Sequence, residues 1–366
     1  MKLNRGKIGR AESVSLAALS LFTCGVFAID PKTAYAEGNL TYLSIPVSVL
    51  LSLCVVLVCS AAIERKGCGD LFGLFRSTLG KAPAFLLTLA LSASFIFAAA
   101  KPLSSFVEVL HRLVYDGVSY GSLFVFIVPA VVFAAWKGFE STGRLALIFS
   151  ALILVSVVAA VLSAAPEFDA GRLFPFPGTV ALGFTKDALS GMLFTLPPLA
   201  ALAVNAVGLG GAGQMRRSAL LGALFASLGI GLTQLAIALI YPPRVLSGLL
   251  MPLYRINFLS LSQSYALRLD KLFIMIWLSG CVICAAYLVY SASLLLTLSF
   301  GGKDVTPYVL TVSLTLTLVS SLGFVGDYGF AEKVMKTAES FGFLFAAVPL
   351  FAASVLGFFG KGMKKT

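Results

Sequence analysis

The sequence predicts an all-α polytopic membrane protein of ten transmembrane helices, arranged as two sets of five with helices one and six interrupted. Three observations carry that prediction. Hydrophobic residues make up 59% of the 366 and charged residues only 12%, with a mean hydropathy of +0.98, too little polar surface for a water-soluble domain. The apolar residues fall into ten runs, and a polar, Pro-rich stretch, PEFDAGRLFPFPG (166–178), separates five from five. The first and sixth runs each carry helix-weakening residues at corresponding places.

The first run, Ser13 to Ile29, contains no charge. At the helical rise it reaches about 25 Å, nearly the thickness of a hydrocarbon core of about 30 Å. Thr23, Cys24 and Gly25 cluster two-thirds of the way along, and Asp30-Pro31 closes the run. A glycine there serves either of two purposes. It lets a neighbouring helix approach, or it opens the backbone onto a cavity. Lys2, Arg5, Lys7 and Arg10 precede the run and Ala34-Tyr35-Ala36 follows it, as in a cleavable secretory leader. Retention is nevertheless expected: Asp30, Pro31 and Lys32 intervene, and removal leaves an odd number of spans.

Further spans are expected at about 40–62, 82–100 with a helical extension towards Val114, 119–136 and 145–164. After the connector come 187–207, 218–240, 272–300, 305–325 and 339–359. The whole is read as one membrane domain: repeat one over about 12–164, connector 165–185, repeat two over about 186–360. With the N-terminus inside, 16 of the 27 Lys and Arg fall on the inner side, concentrated in short loops, so both termini are expected in the cytoplasm. The sixth run, KDALSGMLFTLPPLAALAVNAV, contains Ser190-Gly191 and Pro197-Pro198. Proline lacks the N–H donor and clashes with the preceding turn, so a kink or break is expected there. Paired interruptions in two halves point to a ligand site near the membrane midplane.

On the eighth run Trp277, Cys281, Cys284, Tyr287 and Ser291 recur at helical spacing and share a face. The Tyr287 hydroxyl is costly against lipid and should look into the bundle, towards packing partners or a ligand. Lys101 and Asp30 end their runs at similar depth, so Lys101 either snorkels to the interface or pairs with Asp30. Glu140 and Arg144 are spaced for a structural ion pair. The stretch 242–270 is too polar to span, and its apolar residues suggest a helix lying on the outer surface. Cys281-x-x-Cys284 sits among apolar residues and is read as packing rather than as a metal or redox pair. A single His, no phosphate loop and no hydrolase or metalloprotease motif leave no catalytic constellation, and no cofactor is expected. The net charge of +11 is scattered over loops, which speaks for membrane topology and against nucleic acid.

Several stretches resemble one family, the spore germination permeases, GerAB-type B subunits of nutrient-germinant receptors. MPLYRINFLSLSQSYALRLDKLFIMIW (251–277) is similar to that family's segment entering span eight, and GFESTGRLALIF (138–149) to its G-x-E-x-x-x-R opening of span five. LFGLFRSTLGK (71–81) resembles its loop entering span three, and GRLFPFPG (171–178) its connector. The resemblance implies the inverted-repeat fold of the amino acid–polyamine–organocation superfamily. It also implies a small nutrient, often an amino acid, bound among spans one, three, six and eight. A and C receptor subunits would be partners, in the inner membrane of the spore. Carried over by residue, it points to Gly25, Tyr287 and Ser291. Together with the residues of the runs themselves, the expected ligand-binding set is Thr23, Cys24, Gly25, Lys101, Phe194, Thr195, Tyr287 and Ser291. Lys101-Pro102 in span three and Pro197-Pro198 in place of a Gly-rich break depart from the family pattern. The alternative function is secondary amino acid transport coupled to H⁺ or Na⁺.

Overall fold

In the computed structural model the described residues are 6–28, 41–115, 117–173, 181–242, 245 and 269–322, with 337, 342, 344, 346–348 and 350–358 beyond them. Asp30 and nearly all of the segment expected as a surface helix (242–270) lie outside the described residues. The chain forms α1 (Arg10–Phe27), α2 (Thr41–Lys66), α3 (Leu71–Leu79) and α4 (Lys81–Val109), the last continued by a π-helical turn, Leu110–Val114. Then come α5 (Tyr120–Trp136), α6 (Phe139–Ala164), α7 (Ala181–Val204), α8 (Ala212–Ile240), α9 (Leu269–Phe300) and α10 (Thr306–Ser321). Seven of these helices are at least 18 residues long and apolar enough to cross a membrane; α5, α10 and a helix over Ala346–Phe358 are apolar but shorter. The protein is an integral membrane protein.

Burial separates the helices into a centre and a wall. The apolar windows of α7, α9 and α1 are 83%, 72% and 61% buried, whereas that of α6 is 28% buried and turns most of its surface to lipid. Every residue from Gly191 to Ala206 is buried, as a helix apolar all round requires. Between transmembrane helices there is no hydrophobic driving force, so close approach and interhelical hydrogen bonds must hold the centre. Both are present. A side chain on Gly222 of α8 would begin 2.5 Å from the Ala17 Cβ and 3.2 Å from the Ala18 backbone nitrogen, so α1 and α8 touch backbone to backbone. The Ser13 and Ser218 hydroxyls join the same pair at 2.7 Å. Between α2 and α7, the Ser48 hydroxyl donates to the Ala188 carbonyl (2.6 Å), and Ser52 and Thr195 pair at 2.8 Å.

Three expectations are corrected. The segment 71–81 is not a loop: Asp70 accepts from the Gly73 N–H (2.7 Å) and starts α3, whose Leu71, Leu74 and Phe75 are buried. Neither interruption occurs among the described residues. α1 runs unbroken through Thr23, Cys24 and Gly25, and α7 runs through Pro197 and Pro198. The missing proline N–H groups do not end α7, because packing on every side over-determines its path. Its Thr195 hydroxyl bonds the Gly191 carbonyl one turn back (3.2 Å). The Glu140–Arg144 ion pair is formed at the exposed start of α6. The connector is stitched to the end of α8: Asp169 N–H and Arg172 Nη1 both donate to the Leu239 carbonyl, at 3.1 and 3.2 Å.

The α1–α8 contact predicts opposite outcomes at two glycines of one helix. Gly222→Leu is expected to destabilise by at least about 1–3 kcal/mol through overpacking against the α1 backbone. Gly213→Ala, with nothing within 4 Å of the added methyl, should be neutral or stabilise by up to about 1 kcal/mol. Melting of both variants by size-exclusion chromatography in detergent checks the contrast; equal melting would refute the close contact.

Candidate functional site

Four helices, α1, α4, α7 and α9, meet at one junction of small and polar groups. Successive residues of a helix are turned by about 100°, so adjacent residues of α1 face different partners. Cys24 faces α4 and α9: its thiol lies 3.6 Å from the Ala98 carbonyl and 3.4 Å from the Cys284 sulfur. The Cys284 thiol in turn points at the Ser20 carbonyl, 3.7 Å away. Thr23 lies beside Gly280 of α9, its hydroxyl 3.6 Å from where a side chain there would begin. Gly25 faces the other way. A Cβ on it would sit 2.5 Å from Ile230 of α8 and 3.1 Å from Ile45 of α2. It is a helix-contact glycine, and Gly191 of α7 packs on the same Ile45.

The remaining expected residues form two further groups. Phe194 of α7 stacks on Phe97 of α4 with ring centroids 6.1 Å apart. Thr195, one residue on, turns instead to α2 and bonds Ser52. Tyr287 donates to the Pro198 carbonyl at 3.3 Å, which joins α9 to α7. Ser291 donates to the Tyr287 carbonyl (2.8 Å) and accepts from the Asn205 amide at 2.8 Å. Lys101 is half-buried on α4, nine residues before Leu110 and three beyond Ala98. Thus Cys24, Thr23, Phe194, Tyr287 and Ser291 are gathered around α9 and α7, while Gly25 and Thr195 look outward towards α2.

Aromatic layers bound this junction at both ends. Beyond Cys24, Trp277 packs against Phe22, Phe27 and Phe273 at centroid distances of 5.5, 6.3 and 5.0 Å, and Phe27 against Phe106 at 6.3 Å. At the other end Phe139 stacks on Tyr287 and on Tyr290, each at 6.2 Å. Four buried polar atoms of these helices and of the turn after α7 have no hydrogen-bond partner among the described residues: Ser20 Oγ near the Cys24–Cys284 contact, Trp277 Nε1 in the first aromatic layer, Asn205 Oδ1 beside Ser291 at the Phe139 end, and Ser92 Oγ on α4. Such groups are costly in an apolar interior and mark places where water or a ligand adds bonds. Asn205 and Ser20 are absent from the set expected from sequence. The signal for Asn205 was a lone amide in the apolar run LAALAVNAVGL; Ser20 carried none, since serines recur throughout α1.

A family model described as spore germination protein matches residues 7–324. The chain belongs to the spore germination protein family. No curated protein matches this family member in sequence. Its fold is shared with solved LeuT-type transporters. A nucleobase-cation-symport-1 family transporter, closed with bromovinylhydantoin bound, aligns with a TM-score of 0.66 at 13% identity, over 92% of this chain and 78% of that one. A Na⁺-coupled sialic acid symporter in a substrate-bound outward-open state gives 0.66 at 11% identity, over 95% and 79%. MhsT in complex with L-phenylalanine gives 0.61 at 15% identity, over 96% and 89%. Family and fold are those of permeases and transporters rather than of enzymes.

Two substitutions separate packing from the rest of this germination protein's site. Gly25→Phe should lower the amount of folded protein, because the ring must displace Ile230 and Ile45. Tyr287→Phe should leave the protein folded and cost about 0.5–1.5 kcal/mol for the lost bond to Pro198. Abundance and melting of the two variants in the same detergent check this, and a normally abundant Gly25→Phe would remove the helix-contact assignment.

Proposed function

We propose that the protein is the nutrient-sensing membrane subunit of a spore germination receptor. It binds a small nutrient, an amino acid in the first instance, at the α1–α4–α7–α9 junction. The observation that carries this reading is the set of unpartnered buried polar atoms, Ser20, Ser92, Asn205 and Trp277, spread along the helices of the junction from one aromatic layer to the other. Family membership and the small-molecule ligands of the structural neighbours, a hydantoin, sialic acid and phenylalanine, support it. Thr23, Cys24, Phe194, Tyr287 and Ser291 would contact the ligand. Lys101 stands at the Trp277 end to meet a carboxylate, and Gly25 and Thr195 support the walls from behind. The full arrangement comprises ten spans in a five-plus-five inverted repeat with both termini cytoplasmic. A and C receptor subunits are its partners in the spore inner membrane.

Binding then acts by differential affinity: a ligand that satisfies the orphaned groups stabilises the conformer in which the junction is open and shifts the assembly towards signalling. The two ends of the junction are unequally fastened. Tyr287–Pro198 and Asn205–Ser291 hydrogen bonds tie the Phe139 end, whereas ring contacts hold the Trp277 end. Ligand therefore enters past Trp277. A second reading, secondary transport coupled to H⁺ or Na⁺, is favoured by one specific observation, the fold shared with a Na⁺-coupled symporter.

Thermal shift of the purified protein against a panel of amino acids and sugars tests binding, and uptake in proteoliposomes separates the two readings. The expected result is stabilisation by at least one nutrient, weakened in Asn205→Leu, with no accumulation in vesicles. Concentrative uptake would establish the transporter instead, and no shift with any nutrient would remove the sensor.

A further inference from the structure

A cavity of this molecule lies on the flank of α1 that faces α6 and α8. It is a groove of about 470 Å³, walled by α6 and α8, and lined by Ala18, Phe22, Leu147, Leu154, Phe225 and Gly229 among others. Ser15 and Ser150 are its polar lining residues, and the Ser150 hydroxyl is turned onto the Leu147 carbonyl (3.2 Å). Exposed Leu154, Phe225 and Leu228 mark it as open to the hydrocarbon side. Along α6 the lining runs from Leu147 to Val157, about 15 Å of helix, which is the depth of one leaflet of a core about 30 Å thick.

The helix starts decide what fills it. α1, α6 and α8 begin at the same end of the bundle: Ile8 packs 3.0 Å from where a Gly143 side chain would begin, and Ser13 pairs with Ser218. Each helix carries an exposed arginine there, on the face that continues into the groove. Arg10 precedes Val14 by one turn, Arg144 precedes Leu147 by three residues, and Arg217 lies eleven residues, very nearly three full turns, before Leu228. Lys7 is exposed beside them; Glu12 and Glu140 are the acidic groups nearby, the first bonded to the Gly9 N–H and the second to Arg144. The surplus is positive. A one-leaflet apolar slot ending in a cluster of arginines is complementary to one molecule of the bilayer itself.

We propose that the α1–α6–α8 groove binds an anionic phospholipid, its acyl chain in the slot and its phosphate over Arg10, Arg144 and Arg217. Bound there, the lipid fills the space between α1, α6 and α8 and makes the position of α1 depend on lipid charge. The site shares Phe22 with the aromatic layer of the junction, and it stands whichever function the junction has.

Native mass spectrometry of the full chain, released from detergent with equal phosphatidylglycerol and phosphatidylcholine, tests it. Retention of phosphatidylglycerol in preference to phosphatidylcholine is expected, falling about fivefold for each arginine removed in Arg10→Gln and Arg217→Gln. Ala151→Phe, at an exposed groove position, should abolish lipid retention with unchanged melting. Equal retention of both lipids, a preference that survives the double arginine variant, or lipid that persists in Ala151→Phe would overturn the proposal. So would protein adducts in place of lipid, which would assign the groove to a partner helix.

Discussion

The fold depends on how closely α1 can be surrounded. Apart from the flank that lines the groove with α6, α1 is enclosed: it has α8 against its backbone at Ala17 and Ala18, α9 beside Thr23, and α2 and α8 around Gly25. The closest of those approaches depend on hydrogen in place of a side chain at Gly222 and Gly25. A single added methyl at Gly222 would separate the two backbones, and the Ser13–Ser218 bond one turn away would part with them. In lipid the loss is not recovered by hydrophobic burial elsewhere, since hydrocarbon tails are as apolar as the helices. Glycine contact is therefore what places α1 in the centre, and with it Cys24 at the junction.

Polar residues then determine which helices stay together. Buried Ser and Thr in this chain mostly bond carbonyls one turn back, as Thr88, Ser293 and Thr297 do, which satisfies them and binds nothing. A smaller number cross between helices: Ser48 to Ala188, Ser52 to Thr195, Tyr287 to Pro198 and Asn205 to Ser291. Apart from the Ser13–Ser218 pair of α1 and α8, these crossings involve α7 or the turn that follows it. α7 is thus held from α2 on one side and from α9 on the other, and the proline pair is carried inside that clamp. Its backbone geometry is set by neighbours more than by its own sequence.

This explains what was and was not legible in the sequence. The places of the seven long apolar helices follow from run length and charge, because a bilayer imposes both. The shared face of Trp277, Cys281, Cys284, Tyr287 and Ser291 followed from the 3.6-residue period, and all five are buried. The interruptions were misplaced because glycine and proline weaken a helix only relative to what packs on it. At Gly25 the missing side chain admits Ile230; at Pro197 and Pro198 the helix continues in a fully buried environment. α3 was missed as a helix because its Asp70 cap and amphipathic turn are short, and the charged Arg76 and Lys81 nearby read as loop. Directions across the junction needed coordinates: sequence cannot say that Cys24 meets Cys284 while Gly25 turns to α2.

The junction itself combines two kinds of fastening with different costs. Separating stacked or edge-on rings gives up contact area and about 0.5–1.5 kcal/mol for each pair beyond it, and the rings find hydrocarbon again within the membrane. Breaking the Tyr287–Pro198 and Asn205–Ser291 bonds exposes a hydroxyl, an amide and a carbonyl to an apolar medium, where nothing replaces them. The Phe139 end has both fastenings; the Trp277 end has rings, and an indole N–H already without a partner. Opening at the Trp277 end therefore separates ring contacts and leaves the Tyr287–Pro198 and Asn205–Ser291 bonds in place. It also brings water to Trp277 Nε1 and towards Ser20, two groups that gain from its arrival. The asymmetry is written in the order of side chains along α9, with Trp277 at one end, small cysteines in the middle, and Tyr287 and Ser291 at the other.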